Sequence, residues 1–125
     1  EDPEEFEMQI DLTKEDISYL IKAKSALADV NNMLITTTTD FDGENVCEII
    51  FGDNTGFSNK ITYQLRGNIT KSDIQIPFDS DIFKDILSAN KDMEKGTLKI
   101  SEVGMLKANF STAETESEYF IARNE

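Results

Sequence analysis

The sequence contains neither histidine nor tryptophan, and it has a single cysteine, Cys47. Without histidine there is no cysteine–histidine nucleophile pair and no mixed ligand set for zinc. A lone cysteine cannot form an internal disulfide, and Cys47 lies in a strand-like run where a buried, inert thiol is expected. The six glycines are scattered, so there is no glycine-rich phosphate loop. Asp40 and Asp42 could touch a cation, but we interpret them as solvated turn residues. We therefore expect no catalytic site, no cofactor and no metal.

Long hydrophobic runs and positive charge are also scarce. No stretch approaches the roughly 20 apolar residues that cross a bilayer, so we expect no membrane partner. No secretory segment precedes the first predicted strand, which favours a cytoplasmic protein, in the host cytoplasm if a phage encodes it. Twelve basic residues against 25 acidic ones give a formal net charge of −13. The electrostatic field of so negative a protein repels phosphate groups. The charge suits a highly soluble protein or one that binds basic partners.

What the sequence does contain is a repeat of its hydrophobic pattern, 66 positions apart. Each copy opens with an alternating strand pattern, continues into a helical pattern and ends in three strand-like runs. The first helix is capped by Thr13, and the second by Asp79 or Ser80. The alternating residues of the two opening strands are Met8, Ile10 and Leu12, then Ile74, Ile76 and Phe78.

This order predicts an α+β domain, a tandem βαβββ repeat with two helices on one face of antiparallel sheets. The single domain spans residues 6–125, with half-repeats at 6–67 and 72–124, after an acidic linker at residues 1–5. Helices are predicted over residues 14–30 and 80–90. Strands are predicted over residues 6–12, 33–41, 45–51, 60–66, 73–78, 97–102, 105–112 and 117–123.

Helical spacing divides each helix into an inward and an outward stripe. The inward stripes are Ile17, Leu20, Ile21, Lys24 and Leu27 or Ala28, then Ile82, Phe83, Ile86, Leu87 and Asn90, with Lys24 contributing its aliphatic stem. The outward stripes mix lysine with serine: Lys14, Ser18, Lys22 (with Ile21 on its border), Ser25 and Asp29, then Lys84, Ser88 and Lys91. On charge alone, these are two solvated faces. The functional alternative is a weakly basic surface for a polyanion, because lysine and serine contact phosphate without reading base sequence. So few lysines bind weakly and in a salt-sensitive way, which suits a protein that slides along DNA while held by other means.

The closing stretch adds a more specific signal. Residues 96–106 read Gly-Thr-Leu-Lys-Ile-Ser-Glu-Val-Gly-Met-Leu, and residues 118–123 read Glu-Tyr-Phe-Ile-Ala-Arg. Together they resemble the C-terminal end of eukaryotic and archaeal DNA sliding clamps, the proliferating cell nuclear antigen family. The Asp-Gly-Glu-Asn turn at 42–45 and the Tyr-Gln-Leu strand at 63–65 are more similar to the C-terminal domain of T-even-type phage clamps. The resemblance covers residues 6–123 as a pattern and is specific by residue over the last thirty or so positions.

The resemblance implies a processivity factor. Clamps are rings of subunits joined edge to edge, whose helices line a hole for double-stranded DNA and whose ring tethers the DNA polymerase after loading by a clamp loader. It implies that the helix lysines Lys14, Lys22, Lys84 and Lys91 face DNA without reading its sequence. Complete subunits in phages and eukaryotes carry two such domains, and the chain does not start with Met. We therefore expect a C-terminal half whose acidic start is an interdomain connector, with a homo-oligomeric ring in the full-length protein.

Clamp partners insert a short hydrophobic peptide near the interdomain linker and the C-terminal tail. The resemblance places that pocket at Val103, Gly104, Met105, Ile121, Ala122 and Arg123. Arg123 stands where many relatives have proline, and the alternative for all six residues is an ordinary core strand and bend.

Two other readings of the whole chain remain. One is a non-catalytic, acidic protein-interaction module of a phage or bacterium, in which the helix lysines are incidental. The other, which ranks last, is an enzyme that uses a carboxylate-bound divalent metal.

Overall fold

The computed structural model describes residues 5–52 and 60–124. Within these ranges there are two helices and nine strands, and the strands form two antiparallel sheets. This confirms the predicted α+β class. The elements, in chain order, are β1 (Met8–Leu12), α1 (Lys14–Ala26), β2 (Asn32–Thr39), β3 (Asn45–Gly52), β4 (Lys60–Leu65), β5 (Asn68–Ile69), β6 (Gln75–Asp79), α2 (Ser80–Ala89), β7 (Lys95–Ser101), β8 (Met105–Ser111) and β9 (Glu116–Ala122).

The two half-repeats exchange their first strands. One sheet has the order β5-β1-β7-β8-β9, and the other has the order β4-β3-β2-β6. Strand β1 of the first half pairs with β7 of the second, in a register that sets Ile10 opposite Leu98. Strand β6 of the second half pairs with β2 of the first, with Ile76 opposite Ile35. Apart from β5, the topology is therefore unchanged when the halves are interchanged.

Polar contacts join the two sheets along two seams. At one seam the Asn45 side-chain amide donates to the Ile69 carbonyl, 3.1 Å away, which links β3 to β5. At the other seam the Asn124 backbone N–H donates to the Pro77 carbonyl at 2.9 Å, just after the end of β9. The sheets thus enclose one continuous hydrophobic core.

The core is built from the alternating faces of the strands and the inward stripes of the helices. Its largest buried rings are Phe51, Phe78, Phe83 and Phe110, each at most 1% exposed. Full burial of such a side chain stabilises the fold by roughly 1.5–3 kcal/mol. Cys47 is buried as predicted, and burial raises the pKa of its thiol to about 12.

Helix α1 begins where the sequence predicts and ends earlier. The Thr13 hydroxyl accepts the Asp16 N–H at 3.0 Å, and the Asp16 carboxylate accepts the Thr13 N–H at 2.9 Å, which completes a capping box. The predicted end near residue 30 is wrong, because the helix stops at Ala26. Here the Lys24 ammonium donates to the carbonyls of Leu27 (3.4 Å) and Ala28 (3.3 Å) and so satisfies groups that further helix would have bonded.

Helix α2 is capped by the Asp79 carboxylate, which accepts the Ile82 N–H at 2.9 Å. Asn90 is buried as predicted, and its amide donates to the Ile86 carbonyl at 2.8 Å. The inward assignment of Ile82 is wrong, since 48% of its side chain is exposed. The buried stripe is centred on Phe83 and Leu87, and Ile82 falls at its edge.

The connection between the halves is more ordered than the sequence predicts. Residues 67–72, expected as a plain link, contain the short strand β5, in which Ile69 pairs with Met8 of β1. The strand predicted from residue 73 starts only at Gln75, because Asp73 has a φ of 62° and donates its N–H to the Thr37 carbonyl at 3.1 Å. The acidic linker predicted at residues 1–5 lies outside the described residues except for Glu5, which is exposed.

No helix within the described ranges is long and apolar enough to cross a membrane.

Candidate functional site

The two helices lie side by side and run antiparallel. Near the end of α1, the Lys24 ammonium forms an ion pair of 2.9 Å with Asp81 in the first turn of α2. Toward the other end, residues of α1 between Lys14 and Lys22 line one concavity together with Lys91, just after α2. The end of α1 therefore meets the start of α2, and the start of α1 meets the end of α2.

That concavity, which we call the helix-face concavity, gathers part of the predicted DNA-facing set. It measures about 350 Å³ and is lined by Lys14, Ile17, Ser18, Ile21, Lys22, Lys91 and Asp92. Buried Ile17 and half-buried Ile21 supply its apolar lining, while the lysines and Ser18 are exposed. Four of the seven predicted residues (Lys14, Ser18, Lys22 and Lys91) thus share one surface, although they come from both half-repeats.

The remaining three predicted residues do not line the concavity. Ser25 is exposed, and its hydroxyl donates to the Ile21 carbonyl at 2.8 Å. The hydroxyl proton of Ser25 is therefore engaged in a hydrogen bond within the helix. Lys84 and Ser88 are only partly exposed. Three- and four-residue steps place them on the stripe of α2 that runs from Asp81 to Lys91, which is the side toward α1.

The charge of the helix-face concavity is opposite to that of the whole chain. Three lysines line it against one acid, Asp92, in a protein whose formal net charge is −13. Ammonium groups and the Ser18 hydroxyl are the donors that contact phosphate oxygens without reading bases. The surface can therefore hold an anion weakly, and salt weakens that interaction.

The residues predicted to bind a partner peptide are also neighbours. Gly104, between β7 and β8, has a φ of 107°, and its carbonyl accepts the Arg123 N–H at 2.8 Å. Met105 of β8 pairs with Ala122 of β9, and Val103 is 71% exposed. The bend after β7 and the end of β9 therefore form one surface.

Two of those six residues are not accessible to a partner side chain. Ile121 is only 4% exposed, because it lies in the core. Gly104 is buried beneath Arg123, so that a Cβ added at Gly104 would lie 2.4 Å from the Arg123 Cδ.

What remains on this side is a shallow surface rather than a deep pocket. We call it the exposed strip on the β8–β9 hairpin; it comprises Val103, just before β8, with Ala122 and Phe120 of β9. Phe120 lies two positions before Ala122 and is 45% exposed. The ammonium of Lys107 lies 5.4 Å from the centroid of the Phe120 ring. Phe120 was not among the predicted pocket residues, although strand alternation places it on the opposite face from buried Ile121.

Asp40 and Asp42, in the turn between β2 and β3, were both predicted to be solvated, and this holds only for Asp42. Asp42 is exposed, but the Asp40 carboxylate accepts the N–H groups of Asp42 (2.9 Å) and Glu44 (3.0 Å) and the Arg66 guanidinium (2.8 Å). The Arg66 hydrogen bond, followed by the Glu44 N–H, holds the pKa of Asp40 below its usual value. Asp40 therefore organises the turn, and the reading of Asp40 as a solvated residue is wrong.

An aromatic contact ties β4 to α1 and was not foreseen. The rings of Tyr19 and Tyr63 stack with centroids 4.5 Å apart. The Tyr63 hydroxyl donates to the Asp16 carboxylate at 2.5 Å, and this bond is the main reason why the pKa of Tyr63 rises to about 12. Asp16 thus serves both the helix cap and the packing of β4.

No protein-family model matches the chain, and no curated protein sequence is significantly similar to it. Among the described residues no group of three or more cysteine, aspartate or glutamate side chains could hold a metal ion. Fold and site together define an α+β protein with exchanged half-repeats and a lysine-bearing surface on a helix pair.

Proposed function

We propose that this chain is a domain of a DNA sliding clamp, a non-catalytic processivity factor that encircles double-stranded DNA as part of a ring and tethers the replicative polymerase. The observation that carries the proposal is the adjacency of α1 and α2, one from each half-repeat, with lysines of both halves around one concavity. The helices of the resembled family line the hole of the ring, so a shared lysine surface on a helix pair is what such a wall requires.

The charge distribution favours sliding over tight binding. A ring holds DNA by topology, so its inner wall needs only weak contacts to phosphate. Three phosphate contacts, one for each lysine of the helix-face concavity, correspond to a slope of about −3 in a plot of log affinity against log salt. The strongly acidic remainder of the chain repels DNA and so keeps contact confined to the helix pair.

The exposed strip on the β8–β9 hairpin supports the second part of the proposal. Val103, Ala122 and Phe120 offer apolar surface beside the exposed Arg123. A short hydrophobic peptide of a DNA polymerase or of a clamp loader buries such a surface at a gain of roughly 25 cal/mol per Å². These two proteins are the proposed partners, together with further copies of the subunit in the ring.

The test reverses the charge of the helix lysines in the full-length protein. The variant carries Lys14, Lys22, Lys84 and Lys91 all changed to Glu. A matched control changes Lys60, Lys71, Lys95 and Lys99 to Glu, none of which lies on α1 or α2 or lines the helix-face concavity, and it alters the net charge equally. The readout is product length in primer extension on a singly primed circular template with polymerase and loader.

We expect the helix variant to lose long products and the control to keep them. Circular dichroism and thermal melting check that both variants remain folded, since the changed residues are exposed or partly exposed. Long products from the helix variant would refute the proposal. Equal loss in both variants would also refute it, because the loss would then follow total charge and not the surface of the helix pair.

A further inference from the structure

The tip of the β2–β3 hairpin presents an aromatic ring to solvent on a hydrogen-bonded turn. Phe41 has a relative exposure of 110%, so its ring is completely uncovered. Backbone bonds close the turn beneath it: Asp40 N–H donates to the Glu44 carbonyl at 2.8 Å, and Gly43 N–H donates to the Asp40 carbonyl at 3.0 Å. Together with the bonds to the Asp40 carboxylate, they hold the backbone of the turn that carries Phe41. An aromatic side chain buries much apolar surface when it binds, and an already ordered backbone reduces the entropy lost on binding.

The surroundings of that ring are acidic. Asp42 and Glu44 are exposed on either side of Gly43 in the same turn. The Arg66 guanidinium already forms ion pairs with Asp40 (2.8 Å) and Glu44 (3.6 Å). We call Phe41, Asp42 and Glu44 the Phe41 knob. Its chemistry fits an apolar hollow with a basic rim.

The helix-face concavity of the same protein has this complementary chemistry. Ile17 and Ile21 supply apolar lining, and Lys14, Lys22 and Lys91 surround it. Its volume of about 350 Å³ is at the small end of the 300–1,000 Å³ typical of ligand pockets, which is enough for one phenyl ring. Asp92 also lines the concavity and opposes the acidic knob, but three lysines outnumber it.

We propose that the Phe41 knob of one copy docks into the helix-face concavity of a second copy. The ring enters between the isoleucines, and the lysines meet Asp42 and Glu44. Within one copy the ring is uncovered and shares no residue with the concavity, so a copy does not fill its own. The contact does not require the clamp function. It does cover lysines proposed to face DNA, so duplex DNA competes with it.

Docking of this kind is heterologous, because knob and concavity are different surfaces. Each docked pair retains one free knob and one free concavity, and association therefore continues beyond the dimer as the concentration rises. A small contact of this kind is weak and transient, and its charged rim makes it salt-sensitive.

Sedimentation velocity of the 125-residue chain, at concentrations up to about 1 mM and at low salt, measures this association. We expect the weight-average sedimentation coefficient of the wild-type protein to rise with concentration and to fall back on addition of salt. Phe41→Ala removes the knob, and the double variant Lys14→Glu/Lys22→Glu reverses the rim. Each weakens association by roughly tenfold or more. The control Lys60→Glu/Lys95→Glu, which reverses two exposed lysines that do not line the concavity, leaves association unchanged.

The decisive experiment mixes the two defective proteins. The Phe41→Ala protein keeps its concavity, and the lysine variant keeps its knob, so an equimolar mixture forms a dimer of the two and nothing larger. A wild-type protein that stays monomeric throughout the series would overturn the proposal. So would association that survives Phe41→Ala, or a mixture that stays monomeric. None of these results bears on processivity, which the lysine variants test separately.

Discussion

Lys24 tests how the two half-repeats are held together, because it is the nearly buried charge between their helices. Its side chain is 3% exposed, and its ammonium lies 2.9 Å from Asp81, which is 53% exposed. The same ammonium donates to the carbonyls of Leu27 and Ala28 at 3.4 and 3.3 Å, which are long hydrogen bonds. The aliphatic stem of Lys24, rather than its charge, should therefore supply most of its contribution to stability.

The expected magnitudes follow from what each substitution removes. Lys24→Met keeps most of the buried stem and should cost about 1 kcal/mol, since an ion pair with a half-exposed partner is worth about 0–1 kcal/mol. Lys24→Ala also leaves a cavity and should cost about 2–4 kcal/mol. Asp81→Asn strands the Lys24 ammonium, which would cost about 3–5 kcal/mol in a dry site, but water reaches Asp81 and lowers this to about 1–2 kcal/mol.

Urea unfolding followed by circular dichroism gives these free energies. Asp81 also lies in the first turn of α2, where an acid favours the helix dipole. The double variant Lys24→Met/Asp81→Asn separates that effect from the ion pair, because the coupling energy belongs to the pair alone. If Lys24→Met costs as much as Lys24→Ala, the charge dominates and the reasoning is wrong.

Two further predictions concern Gly104 and Tyr63. Gly104→Ala should cost about 2 kcal/mol in urea unfolding, because φ is 107° and the new Cβ would meet Arg123; Arg123→Ala in the same background should restore part of this loss but not the backbone strain. The pKa of Tyr63, raised to about 12 from an unfolded value near 10, contributes stability that is complete below pH 10 and is lost as pH rises from 10 to 12. Tyr63→Phe should remove that part of the pH dependence of the urea midpoint, and an unchanged profile would contradict the role of the bond to Asp16.

The order of helices and strands could be predicted from the sequence because it depends on the local spacing of apolar residues. Alternation at Met8, Ile10 and Leu12 and the cap at Thr13 depend only on neighbouring residues, and the structure reproduces both. The exchange of first strands was not predictable in this way. The pairing of β1 with β7 rests on apolar faces that fit many partners, and no local signal selects one of them.

In the candidate site, too, the features that depend on local sequence were predicted and those that depend on tertiary packing were not. Helical spacing correctly placed Lys14, Ser18 and Lys22 on one exposed stripe, because a helix face is a local property. That Lys91 joins them, and that Lys24 reaches Asp81, depends on packing between helices that are distant in sequence. The prediction for Asp40 was wrong for a related reason. Asp40 is held by Arg66, which is close in space but follows β3 and β4 in the sequence.

The strand exchange also determines when this domain can form during synthesis. A ribosome that has released only the first half leaves β1 without its neighbour β7 and leaves β2 exposed where β6 will pair. The edge of β2 therefore stays unpaired until β6 has emerged, which ends at Asp79, and the edge of β1 until β7 has emerged, which ends at Ser101. The nascent protein is most vulnerable to aggregation in that interval, and fragments cut between Arg66 and Asp73 would each need the other in order to fold.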